Sequence, residues 1–351
     1  MSVDHSANIL AQQAALIRGQ QTLAVVRPCR VGDGIIALTE EQQAYYKNLA
    51  RQNKSLREVF IPASGAGSRM FSFLYDYLTF KDPESTQKAE RFLSRLSEFA
   101  LFRLLPSAMQ AAFYNGTLSL QALIDFILKP EGLNFGQAPK GLIPFHIHEP
   151  FILNPFQEHL LQAQALQIGE LQFHFTIQAD FQSEFQNAIN SIQSLTAQAY
   201  EVTYSTQDPT SDAYVFDTDN QVCLGPDAQP LRRPAGHGAL LQNLEQLGAP
   251  YVLVRNIDNI QHYSQLQVAN ETWEWLVGLQ IEVRQSLLNF HESNDCAAFL
   301  EWNKQFGLID NSALANVDQN WKNLIQRPLR ICGMVRNDGQ PGGGPFFVEK
   351  N

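Results

Sequence analysis

Two apolar runs in the sequence have the character of strands, and the second has the pattern of a buried strand. Leu56–Pro62 is short and β-prone and ends abruptly in a glycine-rich turn, and residues 250–259 form a second apolar run that ends in polar residues. Continuous apolar strands are typical of parallel sheets that helices cover on both sides. Helical patterns alternate with these runs and with further strand-like segments, near residues 171–177, 200–204, 213–216 and 328–335. The sequence therefore predicts an α/β fold with a mostly parallel, mixed sheet.

Helical patterns in the rest of the chain indicate its organisation. Residues 1–55 are predicted to form a helical N-terminal segment, and residues 56–351 to form the α/β domain. Helical insertions are expected near 82–128 and 264–324, the second with the four tryptophans of the chain as packing anchors. The chain stops soon after its last expected strand, so we also expect a truncated C-terminal end.

Composition excludes several classes of function. The net charge of −10 argues against nucleic-acid binding, which needs a concentrated basic surface, but not against a small anionic ligand. No apolar run approaches the roughly 20 residues that span a bilayer, and the N-terminus lacks the basic start of a secretory signal. The four cysteines are far apart and form no Cys-x-x-Cys motif, so we expect ordinary thiols in a reducing cytoplasm.

The strongest local signal is a glycine turn, Gly65–Arg69, directly after the first apolar run. Small residues let a backbone approach a phosphate, and the helix expected next offers free N–H groups and a positive dipole end. Arg69 adds a planar cation that suits phosphate oxygens. The turn lacks the Lys-Ser/Thr pair of a P-loop, and Met70 stands where a dinucleotide-binding fingerprint has its third glycine. A purely structural turn is the alternative interpretation.

Three further segments have polar groups in settings that suit a ligand. Lys140 lies in a Pro-Lys-Gly loop, and Gly236, His237 and Gly238 precede a predicted helix. Asp258 follows the second apolar run, where ligands of α/β sheets gather, and its carboxylate suits Mg²⁺. Each has an ordinary alternative: a solvated lysine, an exposed histidine at a helix start, and an Asx turn.

Two further segments have the spacing of metal-binding motifs, but the signal is weaker. His146 and His148 have the spacing of half a metal site, although an alternating strand or loop with two polar histidines is the simpler explanation. Asp217-Thr218-Asp219 has the Asp-x-Asp spacing of many glycosyltransferases, but its surroundings indicate a polar hairpin turn.

Taken together, the four principal motifs form a recognisable series. Gly-x-Gly-x-Arg-Met, Pro-Lys-Gly, Pro-Ala-Gly-His-Gly-Ala and Asn-Ile-Asp-Asn occur here in the order found in UDP-sugar pyrophosphorylases. The chain most closely resembles a related group, the domain of unknown function 4301 family, from about residue 55 to its end. This resemblance implies a Rossmann-like nucleotidyltransferase core, as in the nucleotide-diphospho-sugar transferases.

The resemblance also implies roles for individual residues. Arg69 and Lys140 would be the catalytic cations, facing the triphosphate and the reacting phosphate, and Asp258 would bind Mg²⁺. The nucleotide-binding residues would be Ala63, Ser64, Gly65, Ala66, Gly67, Gly236, His237 and Gly238. Ala63-Ser64 departs from the Ala-Gly or Gly-Gly pair that is usual in the related enzymes.

The implied reaction transfers a nucleoside monophosphate from a nucleoside triphosphate, with UTP the first candidate, to a sugar 1-phosphate. Pyrophosphate would leave. The alternative is a catalytically inactive protein that binds a nucleotide or nucleotide sugar. The single identifiable metal-binding acid and the abrupt C-terminal end favour that alternative somewhat.

Overall fold

A computed structural model describes residues 6–19, 24–308, 321–339 and 343–349. The strands are β1 Val25–Pro28, β2 Arg30–Val31, β3 Gly34–Ile35, β4 Arg57–Pro62, β5 His146–His148, β6 Phe151–Leu153, β7 Leu171–Thr176, β8 Val202–Ser205, β9 Ala213–Tyr214, β10 Arg232–Arg233, β11 Tyr251–Val254 and β12 Phe346–Val348. The helices are α1 Ser6–Arg18, α2 Glu40–Gln52, α3 Ser72–Phe80, α4 Pro83–Ser94, α5 Ser107–Tyr114, α6 Leu120–Leu128, α7 Pro155–Gln164, α8 Gln182–Thr196, α9 Leu241–Glu245, α10 Leu266–Ser293, α11 Cys296–Phe306 and α12 Trp321–Ile325.

A four-stranded sheet in the order β11-β4-β7-β8 organises the fold, and all its neighbouring strands are parallel. The predicted α/β class with a parallel sheet is thus confirmed. The antiparallel pairs β1–β12, β5–β6 and β9–β10 lie outside this sheet. Strands β4, β7 and β8 follow one another in one direction, whereas β11 returns to the other side of β4. The strand order therefore reverses between β4 and β11.

Apolar side chains form three buried clusters. The first surrounds the parallel sheet, where Val59, Phe175 and Leu253 pack with helices α7 and α8. The second consists of residues from Phe71 to Ile143, so the predicted helical insertion near 82–128 has its own core. The third joins α2 to α10, α11 and α12, and it contains Trp321 and, at its margin, Trp275 and Trp302. In the described residues, no helix has both the length and the apolarity to cross a membrane.

The N-terminal segment, predicted to be helical over residues 1–55, contains strands as well as helices. Helices α1 and α2 are separated by β1, β2 and β3, and β1 pairs with β12 from the opposite end of the chain. Helix α2 begins with a capping box, in which Thr39 and Gln42 satisfy each other's backbone amides. Short strands paired with a distant segment leave only a weak local signal, which is why the sequence pattern missed them.

The strand predicted over 328–335 is wrong, because the structure describes all of these residues and assigns them to no strand. Leu329 and Ile331 instead pack against the third cluster, between the helices. A backbone that passes over helices has no neighbouring strand to bond, so an apolar alternation alone does not make a strand.

A buried guanidinium anchors the start of the central strand. Arg57 is fully buried and donates hydrogen bonds to the carbonyls of Ala50 and Asn53 at the end of α2, and to that of Ile168 before β7. A cation beside the carbonyl end of a helix is favoured by the helix dipole. Burial nevertheless lowers the pKa of Arg57. Arg57 thus links the end of α2 to the amino-terminal edge of the sheet.

Helices α2 and α10 approach so closely that a glycine is required at their contact. A Cβ atom added to Gly278 of α10 would lie 1.9 Å from the carbonyl oxygen of Tyr46 in α2. That distance is far inside van der Waals contact. The three nearest atoms all belong to the backbone of Tyr46, so no flexible side chain can move aside.

We expect Gly278→Ala to destabilise the protein by about 1–3 kcal/mol, because the two helices must separate. The substitution would otherwise favour an isolated helix by about 1 kcal/mol. Urea denaturation followed by circular dichroism measures the change. Gly248→Ala is the control, since an added Cβ there meets no atom within 4 Å. An unchanged or higher midpoint for Gly278→Ala would show that the helices do not pack this tightly.

Candidate functional site

The reversal of strand order places two loops side by side at one edge of the sheet. The segment after β4 begins at Ala63, and the segment after β11 begins at Arg255. Because β4 and β11 are parallel neighbours, both segments leave the same carboxyl-terminal edge. Ligands of open α/β sheets bind at this kind of switch point. The predicted glycine turn and the predicted metal ligand Asp258 therefore lie on adjacent strand ends.

The turn after β4 contains three successive backbone amides without an acceptor. Ala63 still continues the sheet, since its N–H donates to the carbonyl of Thr176 over 2.8 Å. The amides of Ser64, Gly65 and Ala66 donate to no group in the part of the chain that the structure describes. Adjacent unbonded N–H groups are the backbone feature that binds anions.

Gly67 has a structural function in this turn. Its N–H donates to the carbonyl of Ala138 over 2.9 Å, so in this structure the amide predicted to contact a nucleotide is already bonded. A Cβ atom at Gly67 would lie 2.2 Å from Cδ1 of Ile143 and 2.9 Å from the oxygen of Ala138. The absence of a side chain lets the turn pack against residues 138–143.

The same contact brings Lys140 to the turn. Ala66 and Pro139 form an antiparallel bridge, and the N–H of Lys140 donates to the carbonyl of Gly65 over 3.0 Å. Lys140 is 71 positions after Arg69 in the sequence, yet its loop lies directly beside the glycine turn.

Lys140 and Asp258 meet at this edge of the sheet. Nζ of Lys140 lies 2.7 Å from Oδ2 of Asp258, and the two side chains are 26% and 38% exposed. Gly141 packs against Ile257, since a Cβ atom added to Gly141 would lie 3.2 Å from Cγ1 of Ile257. The lysine loop and the segment after β11 are therefore in direct contact. Both charged groups remain accessible to an incoming ligand.

A buried histidine holds the backbone that leads to Asp258. Nε2 of His159, on α7, lies 3.1 Å from the carbonyl oxygens of both Asn256 and Ile257, and this nitrogen must carry the proton to donate to them. Burial first, and Arg255 second, lower the pKa of His159 to about 3. The ring is therefore neutral, and it fixes the loop without adding charge. Gln162, one turn further on, donates to the carbonyl of Gln261 over 2.7 Å.

The structure places the remaining predicted residues around this centre at different distances from it. Arg69 lies in the helical turn Gly67–Phe71, is exposed and has no ion pair among the described residues. Gly236 and Gly238 are exposed and precede α9, which Asn243 fastens to Ser205 at the end of β8. Neither glycine forms a hydrogen bond with the glycine turn in the part of the chain that the structure describes. His237 begins a helical turn, His237–Leu240, and its side chain lies outside the described residues.

A cluster of three histidines and one glutamate lies near the same strand end. His146 and His148 of β5 both approach Oε1 of Glu158 on α7, at 2.7 and 2.9 Å. The ring of His262 lies over that of His148, with centroids 4.9 Å apart. Burial raises the pKa of Glu158 and lowers that of His148. The sequence indicated the two strand histidines only; Glu158 and His262 were missed, since nothing in their local pattern marks them.

An apolar cavity of about 510 Å³ lies beside the site rather than in it. It lies between the helical insertion and the segment after Lys140. Its apolar walls include Met70, Phe92, Phe99, Ile143 and Phe145. The basic residues Lys88, Arg91 and Arg95 also line it.

The Asp217-Thr218-Asp219 segment is a hairpin turn, as its composition indicated. Phe216 and Val222 form an antiparallel bridge, and Oδ1 of Asp217 accepts from the amides of Asp219 and Gln221 at 2.9 and 2.8 Å. The first aspartate therefore stabilises the turn.

Comparisons with known proteins place the chain in a family. No curated protein matches the sequence. One similar solved structure is a “putative UDP-N-acetylglucosamine pyrophosphorylase” from Entamoeba histolytica, with a TM-score of 0.40 and 16% identity. The match covers 74% of this chain and 50% of that chain, so it spans half the length of that protein. The family described as Domain of unknown function (DUF4301) matches residues 3–351. The chain therefore belongs to the DUF4301 family, as its motifs predict.

Proposed function

We propose that this chain is a Mg²⁺-dependent nucleotidyltransferase with a Rossmann-like core. It would transfer a nucleoside monophosphate from a nucleoside triphosphate, with UTP the first candidate, to a sugar 1-phosphate. A phosphate oxygen of the sugar phosphate attacks the α-phosphorus, the bond from that phosphorus to the bridging oxygen breaks, and pyrophosphate leaves. The observation that supports this proposal is the meeting of the glycine turn, Lys140 and Asp258 at the switch point of the sheet.

Nucleotidyl transfer asks a protein mainly to position phosphates and to neutralise their charge. The free amides of Ser64, Gly65 and Ala66 would donate hydrogen bonds to phosphate oxygens without adding a side chain to the site. Lys140 would neutralise the reacting phosphate, and the exposed guanidinium of Arg69 would face the rest of the triphosphate. None of these roles requires a nucleophilic side chain.

The donor set at Asp258 suits Mg²⁺ held chiefly by a ligand. Mg²⁺ keeps several waters and commonly uses only one or two carboxylates together with substrate phosphates. Asp258 offers one accessible carboxylate beside the glycine turn, at present paired with Lys140. When bound, the ion would neutralise charge on the nucleotide phosphates. A bound nucleotide would then draw Lys140 from Asp258 to its own phosphates.

The alternative is a protein that binds the nucleotide without transferring it. Only one acid, Asp258, is assigned to the metal, and this favours the alternative, because two-metal enzymes need further ligands. It predicts nucleotide binding in calorimetry with no pyrophosphate released from any sugar 1-phosphate.

Removal of either charged partner should abolish transfer. We expect Lys140→Ala and Asp258→Ala each to lower Mg²⁺-dependent pyrophosphate release by roughly 100-fold or more, because the first removes a cation from the reacting phosphate and the second removes the ligand of Mg²⁺. A coupled pyrophosphate assay with UTP and a panel of sugar 1-phosphates measures this.

The chain offers a matched control pair for these two substitutions. Lys129 and Asp125 also form an ion pair at 2.7 Å, on the helical insertion. Lys129→Ala and Asp125→Ala should leave the rate unchanged. Full turnover in both site variants would refute the assignment of these residues.

A bulky residue at Gly65 should separate binding from folding. A Cβ atom there meets nothing within 4 Å, so Gly65→Val should leave the melting temperature unchanged. The branched side chain would, however, obstruct a phosphate that approaches the free amides, and we expect nucleotide affinity to fall by at least about 10-fold, close to 1.4 kcal/mol. Calorimetric titration with UTP and Mg²⁺ measures the affinity, and Gly248→Val is the control. If Gly65→Val and the unsubstituted chain bind UTP with equal affinity, the phosphates do not bind at the free amides of the glycine turn.

A further inference from the structure

The three histidines and the glutamate beside α7 have no part in the proposed transfer. Alternation along β5 puts His146 and His148 on the same face of the strand, and that face meets Glu158. The two ring nitrogens and a carboxylate oxygen all lie within 4.8 Å of one another. Tetrahedral coordination with bonds of about 2.0–2.1 Å separates ligand atoms by about 3.3 Å, so small side-chain movements would complete such a site.

Glu158 is a buried carboxyl group that lies between two imidazoles. Its side chain is 2% exposed, and its hydrogen-bond partners are His146 and His148. None of the lysines or arginines that the structure describes forms an ion pair with it. A divalent ion held by all three side chains would compensate the burial of the carboxylate.

The ligand types identify the class of metal. Two imidazoles and one carboxylate suit zinc and neighbouring transition metals, whereas Mg²⁺ and Ca²⁺ prefer oxygen ligands. The side chains of His146 and His148 are 24% and 16% exposed, so the site is open enough for a metal and one water. The rings of His262 and Tyr263 cover His148 from the other side, at centroid distances of 4.9 and 5.0 Å.

We propose that His146, His148 and Glu158 bind one Zn²⁺ or a similar divalent transition metal, separate from the Mg²⁺ site at Asp258. The metal joins the β5–β6 hairpin to α7. His262 packs over the ligands rather than binding, because its Nδ1 lies 2.9 Å from Oγ of Ser264 and its Nε2 lies 3.3 Å from the carbonyl oxygen of Ile147.

The test is a titration of the tag-free, chelator-treated full-length chain with Zn²⁺ in a calorimeter. Co²⁺ serves as a second probe, because visible absorption bands report a tetrahedral site. We expect one equivalent of Zn²⁺ to bind and to raise the melting temperature by mass action. His146→Gln and His148→Gln should each weaken binding by at least about 100-fold, since even partners outside the ligand set contribute 10–100-fold.

Two further variants keep the result interpretable. Glu158→Gln preserves the shape of the side chain and should also lose the metal, even if a histidine variant fails to fold. His174→Gln is the control, because His174 is a strand histidine whose nitrogens lie 2.8 Å from hydroxyls of Thr203 and Ser205. The proposal is overturned if the wild-type chain binds no Zn²⁺, or if binding survives in all three ligand variants. The titration needs no nucleotide, so its outcome is independent of the transfer reaction.

Discussion

The parallel pairing of β4 with both β7 and β11 is the constraint on which the rest of the molecule depends. It places β4 in the interior of the sheet, where Arg57–Ile61 are buried, and it directs two loops from distant parts of the sequence to the same edge. The carboxyl-terminal ends of parallel strands expose backbone groups that the ladder no longer satisfies, and ligands of open α/β sheets bind there. The glycine turn, Lys140 and Asp258 meet there for that reason.

Helix α7 stabilises this edge through side chains rather than through strand pairing. His159 and Gln162 bind backbone carbonyls of residues 256–261, and the neighbouring Glu158 binds the β5 histidines. A neutral buried histidine and an amide satisfy these carbonyls at little electrostatic cost, in contrast to a buried charge. One helical turn thus supports both the segment that presents Asp258 and the histidine cluster.

The sequence predicted those elements that leave a pattern in consecutive residues. β11 is a run of apolar residues, and β4 ends in the apolar residues Val59–Pro62 directly before the glycine turn, so both strands were predictable. The contact between Lys140 and Asp258 was not, because it joins residues 118 positions apart and follows from strand order, which spacing does not encode. Pro328–Val335 shows the converse: Leu329 and Ile331 pack against the third cluster while Val335 is exposed, and a strand was predicted where none forms. Glu158 was missed because a buried acid in a helix looks, in sequence, like a solvated one.

The module of residues 67–138, between the glycine turn and the lysine loop, begins and ends at paired backbone groups. Ala66 bridges Pro139, Gly67 bonds Ala138, and the chain between them packs a core of its own. Closing a longer loop between fixed ends costs only slightly more entropy than closing a short one. The length of this module is therefore uncoupled from the geometry of the sheet edge. Evolution can exchange or enlarge it, and so diversify what borders the site, without moving the residues on either side of the junction.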